Sequence, residues 1–114
     1  MSTDCLFCKI VNRELPADIV FEDDGFIAFN DISPQAPTHL LIIPKKHFAT
    51  VNDLTVADID VPGGLILRAK ALAVEKGIAE SGYRLIFNCN AEGGQTVYHI
   101  HLHLLGGRQL KALG

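Results

Sequence analysis

The sequence predicts one α+β domain spanning residues 1–114, a five-stranded, mostly antiparallel sheet with helices on one side. Three observations lead there. Apolar runs of strand length alternate with turn residues in the first half, one longer stretch has helical spacing, and two further strand-like segments follow it. At 114 residues, with 48% hydrophobic and 20% charged residues, the chain can build one packed core without disulfides.

Taken in order, Asp4–Arg13 carries Leu6, Ile10 and Val11 at spacings that suit a short N-terminal helix. Ile19-Val20-Phe21 reads as a strand, stopped by the acidic turn Glu22-Asp23-Asp24-Gly25. Phe26 to Phe29 is the second strand, so the two form a hairpin. Pro34 and Pro37 enforce a loop before Leu40-Leu41-Ile42-Ile43, an apolar run suited to a buried central strand. Thr55 and Asp58 have capping-box spacing and mark a helical turn. The main helix is expected from about Pro62 to Lys76, stopped by Gly77, with Leu65, Ala69, Leu72 and Ala73 facing inward. Tyr83–Asn88 and Val97–Leu105 read as the last two strands.

The strongest chemical signal is Tyr98-His99-Ile100-His101-Leu102-His103-Leu104-Leu105. On a strand, alternate residues share a face, so the three imidazoles line one exposed face and Ile100, Leu102 and Leu104 enter the core. Neutral imidazole is a competent nucleophile near pH 7, and donation from one ring nitrogen to a carbonyl aims the other lone pair at an electrophile. A second imidazole can bind the electrophile or protonate a leaving group. Upstream, Glu92-Gly93-Gly94-Gln95-Thr96 is a polar, glycine-bearing loop able to approach a phosphate. That combination points to phosphoryl or nucleotidyl transfer. The same spacing also suits three zinc ligands with an open position, and surface imidazoles on an edge strand are a third reading; the residues alone leave these open.

Composition excludes several other classes. A net charge of −3 disfavours a sequence-blind grip on nucleic acid. No apolar stretch approaches the ~20 residues of a membrane helix. Met-Ser-Thr-Asp-Cys has neither region of a signal peptide, so a cytoplasmic address with three reduced cysteines is expected. Lys45-Lys46 suits a solvated loop better than a nucleotide-steering patch, and Cys89 is expected in the core. Phe7, Phe21, Phe26 and Phe29 read as core residues, and Arg84 and Arg108 receive no role.

These residues resemble the histidine triad (HIT) superfamily, and within it the Hint branch of nucleotide-binding proteins. His99–Leu105 fits the family pattern of alternating histidines followed by two apolar residues. Asp31-Ile32-Ser33-Pro34-Gln35-Ala36-Pro37-Thr38-His39 and Gly93-Gly94-Gln95-Thr96-Val97-Tyr98 match as well, and the similarity runs from about residue 4 to 108. The resemblance implies a HIT-like fold and a homodimer whose sheets join across the interface. It also implies hydrolysis of the P–N bond of purine nucleoside 5′-phosphoramidates to the nucleoside monophosphate, without a catalytic cofactor. An alternative is a purine nucleotide-binding regulatory protein whose catalysis is incidental.

By the same resemblance, His101 is the nucleophile, His99 holds it through a backbone carbonyl, His103 contacts the phosphate, and His39 completes the set near the leaving group. Asp31 binds ribose, Ile32 meets the base, Asn88 and Thr96 hold phosphate or leaving-group atoms, and Gly94 and Gln95 are further nucleotide-binding positions. Thr96 stands where many members have serine, and Gln109 to Gly114 lack the aromatic tail of some relatives. Cys5-Leu6-Phe7-Cys8 is a Cys-x-x-Cys pair, and some bacterial relatives combine such a pair with two histidines in a structural zinc site; here the set is Cys5, Cys8, His47 and His99.

Overall fold

The chain, described here over residues 5–114 by a computed structural model, places five strands in the order β1-β2-β3-β5-β4, with every pairing antiparallel. The elements are α1 (Leu6–Val11), β1 (Ile19–Glu22), β2 (Phe26–Asn30), β3 (Thr38–Pro44), α2 (Asp60–Glu75), β4 (Tyr83–Phe87) and β5 (Leu102–Gly106). The reading of Met1–Asp4 as no leader lies outside the described residues. No helix among the described residues is long and apolar enough to cross a membrane.

The hairpin between β1 and β2 is closed by Asp23, whose Oδ1 accepts the Gly25 and Phe26 amides at 3.1 and 2.9 Å. β2 then registers Ile27 against Ile43 and Phe29 against Leu41, and β5 inserts between β3 and β4. The uninterrupted apolar run of β3 serves both faces of the sheet, as expected of a central strand covered on each side. Leu40 and Ile42 join Ala28, Leu102 and Leu104 beneath α2; Leu41 and Ile43 join Ile27 and Phe29 beneath α1.

The two helices therefore lie on opposite faces, which corrects the expectation of helices on one side. α1 also presents a different residue from the one the spacing suggested. Phe7, three residues before Ile10, is buried, whereas Leu6 is exposed.

α2 starts two residues before Pro62, so the proline falls in the first turn, where its missing N–H removes no helical bond. Leu65, Ala69, Leu72 and Ala73 are its buried face, as the spacing predicts. The helix ends in a Schellman motif: Gly77 N–H reaches Val74 O and Ile78 N–H reaches Ala73 O, both at 3.0 Å. Gly77 has φ +76° there, and Ile78 is buried against the core. Thr55 N–H meets Asp58 Oδ2 at 2.9 Å, and Thr50 N–H makes the same bond to Asp53, a second box the sequence reading missed.

The last strand is shorter than its apolar alternation suggests. The ladder with β3 stops at Leu102, opposite Ile42. Beyond it the Ile100 amide turns to Phe48 O at 2.7 Å, and the Pro44 carbonyl accepts the His99 ring. Proline has no amide with which to continue a ladder, so the segment 97–101 is held by the 44–50 loop instead.

Leu65 is wholly buried. Leu65→Ala is expected to lower the unfolding free energy by about 2–5 kcal/mol in urea denaturation, whereas Lys70→Ala on the exposed face should stay within about 0.5 kcal/mol of wild type.

Candidate active site

The alternation that strand geometry demands survives although only His103 lies within β5. His103 sits opposite Leu41, on the α1 face, and the rings of His101 and His103 are 5.0 Å apart. Phe7 meets His101 edge-on at 5.1 Å and His99 at 6.0 Å. The histidine face is not exposed, contrary to the sequence reading: His99 is fully buried, and only 8% of His101 is accessible. The sequence could not show that α1 folds back over this face.

Each ring has at least one nitrogen tied down, and the ties fix the tautomers. His101 Nδ1–H donates to the carbonyl of His99 at 2.8 Å, which leaves its Nε2 lone pair free. His39 Nδ1 accepts the Gln35 amide at 3.0 Å, so the proton of this neutral ring resides on Nε2. That Nε2–H donates to His103 Nδ1 at 3.0 Å. His103 must then carry its own proton on Nε2, as a donor. The pair His101 and His103 thus presents one lone pair and one N–H, the complement a phosphoryl group in transfer requires.

Burial keeps these rings neutral. Desolvation depresses His39, with Asp31 opposing it, and likewise His101, where the His99 carbonyl and Asp31 oppose. His103 is lowered to about 4 by desolvation, then by His101 and His39. Asp31 Oδ2 lies 3.5 Å from His39 Nε2, and Asp31 Oδ1 accepts the Ser33 amide at 2.8 Å. Asp31, His39 and His103 are close enough to group around an ion, but His39 Nε2 and His103 Nδ1 are already joined by a hydrogen bond to each other. The triad itself does not converge as one ligand set, because His99 points its Nδ1 away toward the cysteines. This removes the reading of His99, His101 and His103 as three ligands of one zinc.

The loop after β4 separates surface residues from one that is interior. Thr96 is exposed, Asn88 is half-buried, and Gly94 packs beside the Asn88 carboxamide. Gln95, expected at a nucleotide-binding position, is buried, and its side chain is fully engaged. Its Oε1 accepts the Asn90 amide at 2.8 Å, while Nε2 donates to Ala49 O and Val97 O at 2.8 and 3.0 Å. Its own amide is engaged by Asn90 O, so Gln95 braces the loop and has no free N–H for a phosphate. Ile32 is 96% exposed, an unusual position for an apolar side chain and one suited to a flat apolar ligand.

His99 joins this site to a second one. Its Nε2–H donates to Pro44 O at 2.8 Å, so the bare Nδ1 faces Cys5 Sγ, Cys8 Sγ and His47 Nδ1 at 3.4, 3.5 and 3.2 Å. Tetrahedral zinc with ordinary bond lengths separates two nitrogens by about 3.3 Å and nitrogen from sulfur by about 3.6 Å. The four donors therefore fit zinc in both chemistry and spacing. Burial, then the hydrogen bond and charge of Cys5, push the Cys8 thiol up to about 11, and a divalent cation would supply the opposing charge.

Several residues acquire settings the sequence did not give. Arg108 Nη2 donates to Gln35 O at 2.7 Å, and Arg84 Nη2 to Lys111 O at 2.9 Å. Lys45 pairs with Glu22 at 2.8 Å rather than standing free, and Lys46 lies over Phe48. Cys89 is half-buried, not a core residue. Phe7 and Phe29 are buried, and Phe21 and Phe26 are packed partly against the core.

With five antiparallel strands, one helix on each face of the sheet and a tautomer-fixed histidine set, the chain has the architecture of the histidine triad proteins. The family model described as scavenger mRNA decapping enzyme C-term binding matches residues 4–112. The chain belongs to that HIT family. It is 56% identical over 110 residues to the purine nucleoside phosphoramidase of Escherichia coli (strain K12), covering 96% of this chain and 92% of the relative. An uncharacterised HIT-like protein of Synechococcus elongatus is 52% identical over 96% of each chain. Among solved structures, a HIT family hydrolase from Legionella pneumophila Philadelphia 1 superposes with TM-score 0.93 at 61% identity, covering 95% of this chain and 96% of that one. A histidine triad protein from Clostridium difficile does so with TM-score 0.96 at 41% identity, covering 100% and 99%.

Because His39, His101 and His103 are lowered in the folded state, the unfolded chain binds more protons as pH falls below about 6.5. Stability is expected to rise with pH across the window from about 4 to 6.5, the His103 contribution being lost as pH drops through it. Thermal unfolding followed across pH 4–7 tests this; His103→Gln should flatten the slope.

Proposed function

We propose that this chain hydrolyses the P–N bond of purine nucleoside 5′-phosphoramidates. The observation that carries the reading is the His101 ring, held by Nδ1–H on the His99 carbonyl with Nε2 free beside the His103 N–H donor. The 56% identity to a purine nucleoside phosphoramidase supports the substrate class.

His101 Nε2 attacks the α-phosphorus, and the P–N bond breaks with its electron pair passing to nitrogen, which takes a proton from water and leaves as the amine. His103 Nε2–H donates to the reacting phosphoryl group, backed by His39. Water then attacks the phosphorus of the nucleotidyl-histidine, returning free His101 and the nucleoside monophosphate. Asp31 offers a carboxylate to ribose hydroxyls, Ile32 an apolar surface to the base, and Asn88 and Thr96 donors to phosphate or leaving group. A single domain, a homodimer and a cytoplasmic address belong to the same reading. No cofactor enters the chemistry.

Cys5, Cys8, His47 and His99 would hold a structural zinc. Through these four residues it would tie α1 and the 44–50 loop to His99, whose carbonyl steadies His101. Removing it with a chelator is expected to lower Tm by more than about 5 °C, and Cys8→Ser to reproduce that loss. Unchanged Tm together with no metal on elemental analysis would replace the ion by hydrogen-bonded thiols.

His101→Ala is expected to cut turnover of adenosine 5′-phosphoramidate by about 10³-fold or more, with Tm and nucleotide binding retained. Mass spectrometry of wild type quenched without acid should show one added adenylate, absent from the variant. Near wild-type turnover in a clean His101→Ala preparation would sink the proposal; binding with negligible turnover in wild type would favour the regulatory alternative.

A further inference from the structure

The loop from Asp31 to Pro37 carries the ribose candidate at one end and leads into His39 at the other. Within it, Gln35 has both backbone groups engaged. The amide fixes the His39 tautomer, and the carbonyl accepts the guanidinium of Arg108 at 2.7 Å. The Gln35 side chain bonds only within the loop, to Ser33 O. Among the described residues, Arg108 is the side-chain donor that reaches this loop from elsewhere in the chain.

The neighbouring residue reinforces the contact. β5 ends with Gly106 opposite Thr38, and Gly107 then turns with φ +98° directly against Pro37. A Cβ at Gly107 would stand 2.8 Å from Pro37 Cβ, too close to fit. The chain just beyond the histidine strand is thus a seat for the loop, with packing supplied at residue 107 and a charge-assisted hydrogen bond at 108.

We infer that Arg108 is a positioning residue that sets the protonated nitrogen of His103 by way of Gln35 and His39. Arg108 holds the carbonyl of the Gln35–Ala36 peptide; if Gln35 shifts, the N–H of the adjoining Pro34–Gln35 peptide leaves His39 Nδ1, inside a ring that is only 5% exposed. With no donor there, nothing holds the proton off Nδ1, and the tautomer with Nδ1–H bares Nε2. Two lone pairs would face each other across the 3.0 Å to His103 Nδ1 unless His103 also moves its proton to Nδ1. In that state His103 Nε2 is bare and no longer donates to phosphate. Arg108, outside the ligand-facing set, stabilises the state in which it does. This deepens the reaction proposed above and rests on it for its catalytic consequence, whereas the tautomers are readable without substrate.

The test is ¹⁵N NMR of histidine-labelled, ligand-free protein at neutral pH, with kinetics on the same samples. Wild type is expected to show a protonated Nε2 and a bare Nδ1 at His39 and His103, and the reverse at His101, which serves as internal control. Arg108→Ala should average the His39 and His103 signals between tautomers while His101 is unchanged. It should also lower kcat by about tenfold to a hundredfold with KM within about twofold. Arg108→Lys, whose ammonium can still meet one carbonyl, should restore the tautomers and most of kcat. Gly107→Ala, which displaces Pro37 by a different route, should mix the same two rings. Wild-type tautomers in Arg108→Ala would overturn the inference, as would a loss the lysine variant does not relieve. Absence of phosphoramidate turnover in wild type, with the tautomers shifting as described, would instead overturn the proposed reaction and leave the positioning intact.

Discussion

His99 is held from three directions at once. Its Nε2–H bonds the Pro44 carbonyl at the end of the central strand, its Nδ1 faces two thiols and His47, and its own carbonyl receives Nδ1–H of His101. A buried imidazole with each polar group satisfied this way has no freedom to rotate, because any other orientation would leave a desolvated donor or acceptor unpaired. The proposed nucleophile inherits that rigidity through a single 2.8 Å hydrogen bond. The proposed zinc set and the proposed catalytic set therefore share one residue, by ring and by backbone respectively.

Desolvation supports the same arrangement. Burial lowers the histidines, and a neutral ring has one lone pair and one proton, so each hydrogen bond on one nitrogen dictates the other. The order Gln35, His39, His103 is a run of such dictations, ending in a donor beside the free lone pair of His101. Exposed imidazoles near their ordinary pKa would exchange protonation states, and the division between nucleophile and donor would be lost.

Much of the fold was legible because it follows from local periodicity. The inward face of α2, the Gly77 stop and the hairpin around Asp23 each arise from residues within a few positions of one another. The common side of the three histidines was legible for the same reason, even though β5 begins only at Leu102. The apolar run of β3 held a signal for two covered faces, but which helix covered which face depended on contacts between α1 and strands well separated from it.

Residue type and spacing, with the family resemblance they support, determined the strand and helix pattern and the candidate chemistry of His39, His99, His101 and His103. Tertiary structure alone decided that His39, His99 and His101 are buried and His103 half-buried, which nitrogen of each carries the proton, that Gln95 braces a loop, and that Arg108 reaches Gln35. The division has a physical cause. Periodicity fixes the direction of a side chain relative to its own backbone, whereas desolvation and hydrogen-bond partnership depend on what another segment, here α1, the 44–50 loop or the chain beyond β5, brings against it.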